Sequence, residues 1–148
     1  MPTFTVEYGW FNTPTLAMTL KPGESVTDKT IAQVGTHTTH LTIQRDADQS
    51  TEPIDFECSP VALGRIKLSA LSIKGTVGCM DDDLFSCCHI RNLHIGGSKK
   101  PILNQSPVKG LETLERLLFN GYGAVQPGQG LVAIMQTLRK KGAFSYFM

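Results

Sequence analysis

The sequence predicts an α+β fold: a mainly antiparallel β-sheet or small β-sandwich of about six to eight strands, followed by two C-terminal amphipathic helices. Before Gly96-Gly97 the apolar residues come in short alternating or β-branched runs; after Ser106-Pro107 they recur at the three- and four-residue spacing of a helix. Turn-bearing connections between consecutive runs, with no alternation of strand and helix, point to antiparallel neighbours rather than a parallel doubly wound sheet. One domain is expected, with residues 1–97 β-rich and residues 106–148 helical with an aromatic tail, and no internal repeat or low-complexity tract is evident.

Thr3–Tyr8 sets Phe4 and Val6 against Thr3, Thr5 and Glu7, and Thr15–Leu20 sets Leu16, Met18 and Leu20 on one face; both read as half-buried strands. Lys21-Pro22-Gly23-Glu24 is a turn signal, because proline presets φ and glycine accepts the positive φ of a type II turn. Ser25–Val34 fits neither period, whereas Thr38–Gln44 alternates as a strand. Arg45–Glu52 is polar and reads as an exposed loop, followed by a short strand over Pro53–Cys58 with Ile54, Phe56 and Cys58 in register. Arg65–Ile73 changes phase near Ala70, which suggests a bulged strand. Leu84–Ile95 reads as one long strand with a bend.

The first helix is expected over Val108–Asn120, with Ser106 as N-cap, Pro107 at the first helical position and a stripe of Leu111, Leu114 and Leu118 reinforced by Leu117. The second is expected over Leu131–Lys141, with Leu131, Ile134, Met135 and Leu138 on one stripe. Arg139, Lys140 and Lys141 in its last turn oppose the negative end of the helix dipole, and Gly142 suits a left-handed C-cap.

The 148 residues are 41% hydrophobic and 18% charged, with a formal net charge of +1. That composition is globular and supplies no overall field to steer the protein onto nucleic acid or membrane, so such binding needs a local patch. No signal peptide or apolar run of membrane-spanning length is present, which gives an intracellular, cytoplasmic expectation with reduced cysteines.

Reactive side chains cluster before the change of period. Cys79, Cys87, Cys88, His89 and His94 are soft or borderline ligands suited to zinc, but the paired spacings of structural zinc sites are absent. On a strand Cys87 and His89 share a face that Cys88 does not. A cysteine nucleophile needs a nearby histidine, and no cysteine-protease signature surrounds any of the four cysteines. His37 and His40 would converge only on a helix. Asp81-Asp82-Asp83 lacks the pattern of a calcium loop. Gly96-Gly97-Ser98-Lys99-Lys100 has the glycines and lysines of an anion loop without the P-loop spacing, and Gly121–Gln126 lacks the third glycine of a dinucleotide fingerprint.

Two basic clusters remain: Lys99-Lys100, and Arg139-Lys140-Lys141 followed by Phe144, Tyr146 and Phe147. A basic helix end beside aromatic rings suits RNA, through stacking, or an anionic membrane surface, through interfacial insertion; the same tail also suits docking on the core. The expectation is therefore a non-enzymatic binding or self-assembly module, similar in its parts to a small viral matrix-like structural protein. It would form a homo-oligomer or engage a protein partner, RNA or an anionic membrane through Lys99, Lys100, Arg139, Lys140, Lys141, Phe144, Tyr146 and Phe147. No cofactor or small-molecule substrate is indicated. The alternative is a small Cys/His-dependent enzyme using Cys87, Cys88 and His89, or a metal-binding protein using Cys79, Cys87 and His89.

Overall fold

Five short segments repeat one apolar arrangement: Leu16-Ala17-Met18, Leu41-Thr42-Ile43, Leu71-Ser72-Ile73, Leu93-His94-Ile95 and Leu117-Leu118-Phe119. In an extended chain the first and third residues of each project to the same side, so each segment offers two large apolar groups to one core. In the computed structural model, which describes residues 1–8, 13–46, 52–106, 108–120, 127–142 and 144–147, each segment lies in its own strand. These are β2 (Pro14–Leu20), β3 (His40–Arg45), β4 (Ala70–Lys74), β5 (Asn92–Ile95) and β6 (Arg116–Phe119). They pair parallel and in register, so Leu16, Leu41, Leu71, Leu93 and Leu117 form one ladder and Met18, Ile43, Ile73, Ile95 and Phe119 a second. Strand β1 (Thr3–Tyr8) pairs antiparallel with β2 at one edge, and β7 (Phe144–Phe147) pairs parallel with β6 at the other. The order in the seven-stranded sheet is the order in the sequence.

The molecule is thus a β-solenoid, each coil giving one strand to the main sheet. After the strand the chain turns a corner and touches a second, narrow parallel ladder, in which Val26 bridges Phe56, Ile54 bridges Val77, and Val77 bridges Ser98. The coil then returns through helix α1 (Asp28–Ile31), helix α2 (Pro60–Gly64), turns at residues 82–87, turns at residues 109–113, or helix α3 (Gln129–Lys140). Buried residues from strands, second ladder and returns make one contiguous core cluster. A buried large aliphatic contributes roughly 1.5–3 kcal/mol, so the two ladders are the principal cohesive element.

One corner is held by a charge. The guanidinium of Arg45, its side chain only 4% exposed, donates to the carbonyls of Lys21, Glu24, Glu52 and Pro53 at 2.7–3.2 Å and lies 3.6 Å from the Glu52 carboxylate. Those carbonyls belong to two successive corners, which the single side chain ties together.

The expected antiparallel sheet or sandwich with two C-terminal helices is therefore corrected to a mostly parallel solenoid with one C-terminal helix. Parallel neighbours need crossovers of a dozen residues or more, and those crossovers are the segments that read as strands of their own. Ile54, Phe56 and Cys58 are buried alternately, as their spacing implied, but they contribute isolated bridges in a return arm. Of Arg65–Ile73 only the last part, in β4, belongs to the sheet. The expected strand Leu84–Ile95 is a series of tight turns closed by Leu84 N–H to Asp81 O, Ser86 N–H to Asp83 O and Cys88 N–H to Phe85 O, followed by β5.

The expected helix Val108–Asn120 is likewise absent. Leu111 and Leu114 are buried in turns, and Arg116–Phe119 is β6. An internal repeat, not evident in the sequence, is present: successive ladder positions Leu16, Leu41, Leu71, Leu93, Leu117 and Ser145 lie 25, 30, 22, 24 and 28 residues apart. The last helix stands where expected, with Gly142 at φ +71° just beyond it, and so do β1, β2 and β3. Pro107 and the Gly121–Gln126 segment lie outside the described residues.

Candidate functional site

The middle residue of each Leu-x-Ile unit projects away from the core, so the outer face of the sheet carries its own rows. Thr42, Ser72, His94 and Leu118 form one row across β3 to β6; His40, Ala70, Asn92 and Arg116 form the row before it, and Gln44 and Lys74 pair in the row after. Neighbouring strands lie about 4.8 Å apart, so these side chains are within reach of one another or of a common ligand. A groove of about 310 Å³ runs over these rows from His40 to Leu118, lined at the β1 end by Glu7 and Tyr8. Every strand from β1 to β6 contributes to its lining.

At its centre Ser72 Oγ and His94 Nδ1 share a hydrogen bond of 2.9 Å. Burial, with a smaller contribution from the Lys74 charge, holds the His94 imidazole below its ordinary pKa, so the ring is neutral at pH 7. The pair then has two tautomeric arrangements: Ser72 donating to Nδ1 with the proton on Nε2, or Nδ1–H donating to Ser72 Oγ. At the β3 end, Thr39 Oγ1 and His40 Nδ1 share a second bond of 2.9 Å.

A hydroxyl on an imidazole nitrogen is half of an acyl-transfer set. Such chemistry also needs amide donors aimed at a developing oxyanion. Here β4 and β5 are interior strands with neighbours on both sides, so their amides are committed to the ladder. The arrangement suits recognition by hydroxyl, amide, imidazole and cationic groups on a rigid sheet.

Of the residues singled out from the sequence, His94 and His40 line this groove and the others lie elsewhere. Cys87 is in a turn and His89 in the extended link that follows; both are exposed, as is Cys79. Cys88 is buried, and that burial, helped by Cys87 and Cys58, pushes its thiol up to about 11, away from a thiolate at neutral pH. Among the described residues no three His, Cys, Asp or Glu side chains converge on a metal position. His37 is exposed and outside the groove that His40 lines. Asp82 Oδ2 accepts from the Gln105 amide at 3.1 Å, a link between returns.

Lys99 and Lys100 are exposed, but the glycine-lysine segment is no anion cradle: the amides of Gly96 and Lys99 bond to the carbonyls of Ile73 and Val77, and that of Lys100 to Ser98 Oγ. Arg139, Lys140 and Lys141 are exposed at the end of α3. The segment holding Phe144, Tyr146 and Phe147 is engaged as β7 through its backbone pairing with β6. A second, largely apolar cavity of about 350 Å³ lies between α3 and the returning segment, lined by Leu111, Leu114, Ile134 and Leu138 with Lys141 at its rim.

Ser72, Lys74, Asn92 and Arg116 were not legible as functional residues. The signal that finds them is the polar middle position of the Leu-x-Ile unit and its flanks, visible once the units are stacked. Among the described residues no helix is long and apolar enough to cross a membrane. No protein-family model, curated protein or solved structure matches this chain.

Proposed function

We propose that this chain is a non-catalytic binding module that takes its ligand on the outer face of the main sheet. The observation that carries the reading is the groove itself: six strands contribute to one concavity with hydroxyl, amide, imidazole and cationic groups over an apolar floor. Ligand sites commonly have this make-up, and a cavity of this size takes a small molecule or the end of a peptide. Each coil resembles that of leucine-rich solenoids, a short strand bearing Leu-x-Ile with a turn or helix in return, and stacked coils of that kind present extended binding surfaces. Saturation-transfer NMR with a library of soluble fragments, followed by amide-shift mapping, tests it. Hits are expected to perturb Thr42, Ser72 and His94 and to be lost in Ser72→Trp, which fills the groove. Hits confined to other surfaces, or unaffected by Ser72→Trp in a folded variant, would remove the reading.

A second reading rests on the exposed Arg139-Lys140-Lys141 end of α3, which supports contact with RNA or an anionic membrane, and on the edge positions of β1 and β7, which pair with no further strand among the described residues and support self-assembly. Retention of single-stranded RNA or phosphatidylserine vesicles that weakens as salt rises, and is lost on replacing the three cations with glutamine, is its expected signature. Light scattering reports on the oligomer.

A further inference from the structure

We infer that the chain forms a symmetric dimer by pairing the edge of β1 antiparallel with β1 of a second copy, Thr5 standing on the two-fold axis. The inference rests on the self-assembly reading and specifies its surface, its partner and its register.

Strand β1 is the outermost strand at its end of the sheet: it pairs with β2, and no further strand lies against it among the described residues. Its six residues include no lysine, proline or glycine, and its register with β2 runs through all six without a bulge, so the usual devices that blunt an edge are missing from it. Among the described residues five large apolar side chains are exposed, and three of them, Met1 (69%), Val6 (69%) and Tyr8 (76%), lie in β1 or immediately before it. An unblunted backbone edge and a concentration of exposed apolar surface therefore coincide.

The pleat decides which registers a two-fold axis permits. Phe4 and Val6 stand opposite Met18 and Leu16, on the core side, whereas Thr3, Thr5 and Glu7 stand opposite Thr19, Ala17 and Thr15, on the outer side. A two-fold axis normal to the sheet sets one residue opposite its own copy and keeps like faces together. With Thr5 on the axis, Phe4 of each copy opposes Val6 of the other, Thr3 opposes Glu7, and Thr5 opposes Thr5. Aromatic with β-branched, hydroxyl with hydroxyl and hydroxyl with carboxylate are all favourable cross-strand pairs. Glu7 on the axis would set two carboxylates against each other. Val6 on the axis would oppose Thr3 to residue 9, beyond β1, and Phe4 on the axis would set Val6 against Pro2, which has no amide to donate. Charge, strand length and backbone donors thus all select Thr5.

A second β1 is also the better-matched occupant. The edge strand at the other end, β7, has four residues against the six of β1, and β1 laid on β7 of the next copy would be a head-to-tail contact that does not close. One strand pair lies at the low end of interface sizes, below about 1,200 Å² in total, so the dimer is reversible and of micromolar strength. Within it the outer faces lie on one side, and the two grooves, each lined at its β1 end by Glu7 and Tyr8, become neighbours across the axis.

The test is sedimentation velocity of the full chain from about 1 to about 300 µM, which is expected to show a monomer–dimer equilibrium and no larger species. Val6→Lys, at a side chain already 69% exposed, should keep the thermal midpoint and weaken dimerisation about tenfold or more. Opposed residues of an antiparallel pair lie about 4.5–5.5 Å apart by Cα, within disulfide reach. In a chain with the exposed Cys79 and Cys87 replaced by serine, oxidation should therefore link Thr5→Cys into a covalent dimer. Thr3→Cys, roughly 14 Å from its own copy, should stay unlinked. A dimer that survives Val6→Lys, or that does not link through Thr5→Cys, overturns the β1 inference and leaves self-assembly standing. Growth beyond the dimer as concentration rises does the same, since it marks head-to-tail pairing. Monomer at every concentration removes both.

Discussion

Replacing Arg45 by alanine removes one side chain and unpairs two corners of the solenoid. Its guanidinium donates to four main-chain carbonyls, those of Lys21, Glu24, Glu52 and Pro53, from a position only 4% exposed. A hydrogen bond from a charged donor contributes roughly 1.5–3 kcal/mol when desolvated and about 1 kcal/mol where water competes. Lys21 is exposed and Glu24 and Pro53 half-buried, so the lower figure applies to most of the four. The Glu52 pair at 3.6 Å adds little at a partly exposed rim. The sum is a loss of about 4 kcal/mol for Arg45→Ala. Arg45→Lys keeps the charge but not the planar fork, and an ammonium reaches at most about half of these acceptors, for a loss of about 2 kcal/mol. Urea unfolding followed by circular dichroism measures both, and midpoint shifts at unchanged slope would assign the change to the folded state. A loss under about 1 kcal/mol for alanine, or a lysine variant as stable as the parent, would refute the corner-pin reasoning.

The cysteines predict alkaline lability: burial, the largest cause, raises both Cys58 and Cys88 from 9.0 to about 11. Their contribution is complete below pH 9 and is lost as pH rises through about 11, amounting to roughly 2–3 kcal/mol each at 1.36 kcal/mol per unit. Urea midpoints between those values should fall steeply for the parent and weakly for Cys58→Ala with Cys88→Ala. In the acid range His94, depressed mainly by burial, should make stability decline as pH falls below its unfolded value and level off beneath its folded one; His94→Gln should flatten that slope. Gly110→Ala and Gly23→Ala share a positive φ, of +88° and +79°, but a Cβ at Gly110 runs into the Phe85 carbonyl while that at Gly23 meets nothing within 4 Å. Thermal unfolding should therefore show a loss of about 1 kcal/mol for Gly23→Ala and at least twice that for Gly110→Ala; equal losses would contradict the packing. Leu71→Ala should cost about 3 kcal/mol, and its neighbour Ser72→Ala about 1 kcal/mol or less, in the same assay.

Local chemistry was legible wherever a short segment decides its own conformation. Pro22-Gly23 forms the type II turn its residues prescribe, with Gly23 at φ +79° and Glu24 N–H bonded to Lys21 O at 3.1 Å. The last helix has its apolar stripe, its cationic last turn and its left-handed glycine where the sequence puts them. What failed was the inference from segments to neighbours. Leu111, Leu114 and Leu118 keep a helical spacing, yet three residues also separate the inward positions of successive tight turns, and Leu117 and Phe119 keep the spacing of a strand. Polarity misled at Arg45, whose charge marked a loop although its partners are carbonyls twenty or more residues back as well as nearby. No local window contains those partners.

The repeat was hidden for a related reason. Coil lengths from 22 to 30 residues defeat a search for one fixed period, and only two residues per coil recur. A β-solenoid tolerates this because the constraint acts across coils: a strand must offer two apolar side chains in register with the strand beneath, while its return can be helix, turn or bridge if it fills the same volume. The middle residue escapes even that constraint. Ala17, Thr42, Ser72, His94 and Leu118 differ in size and polarity while occupying one row. The cohesion of the sheet and the chemistry of its outer face are thereby separated at adjacent positions. Leu71 and Ile73 bind β4 to its neighbours, whereas Ser72, between them, lines the outer groove. An outer face can therefore change its chemistry residue by residue without altering the register that displays it.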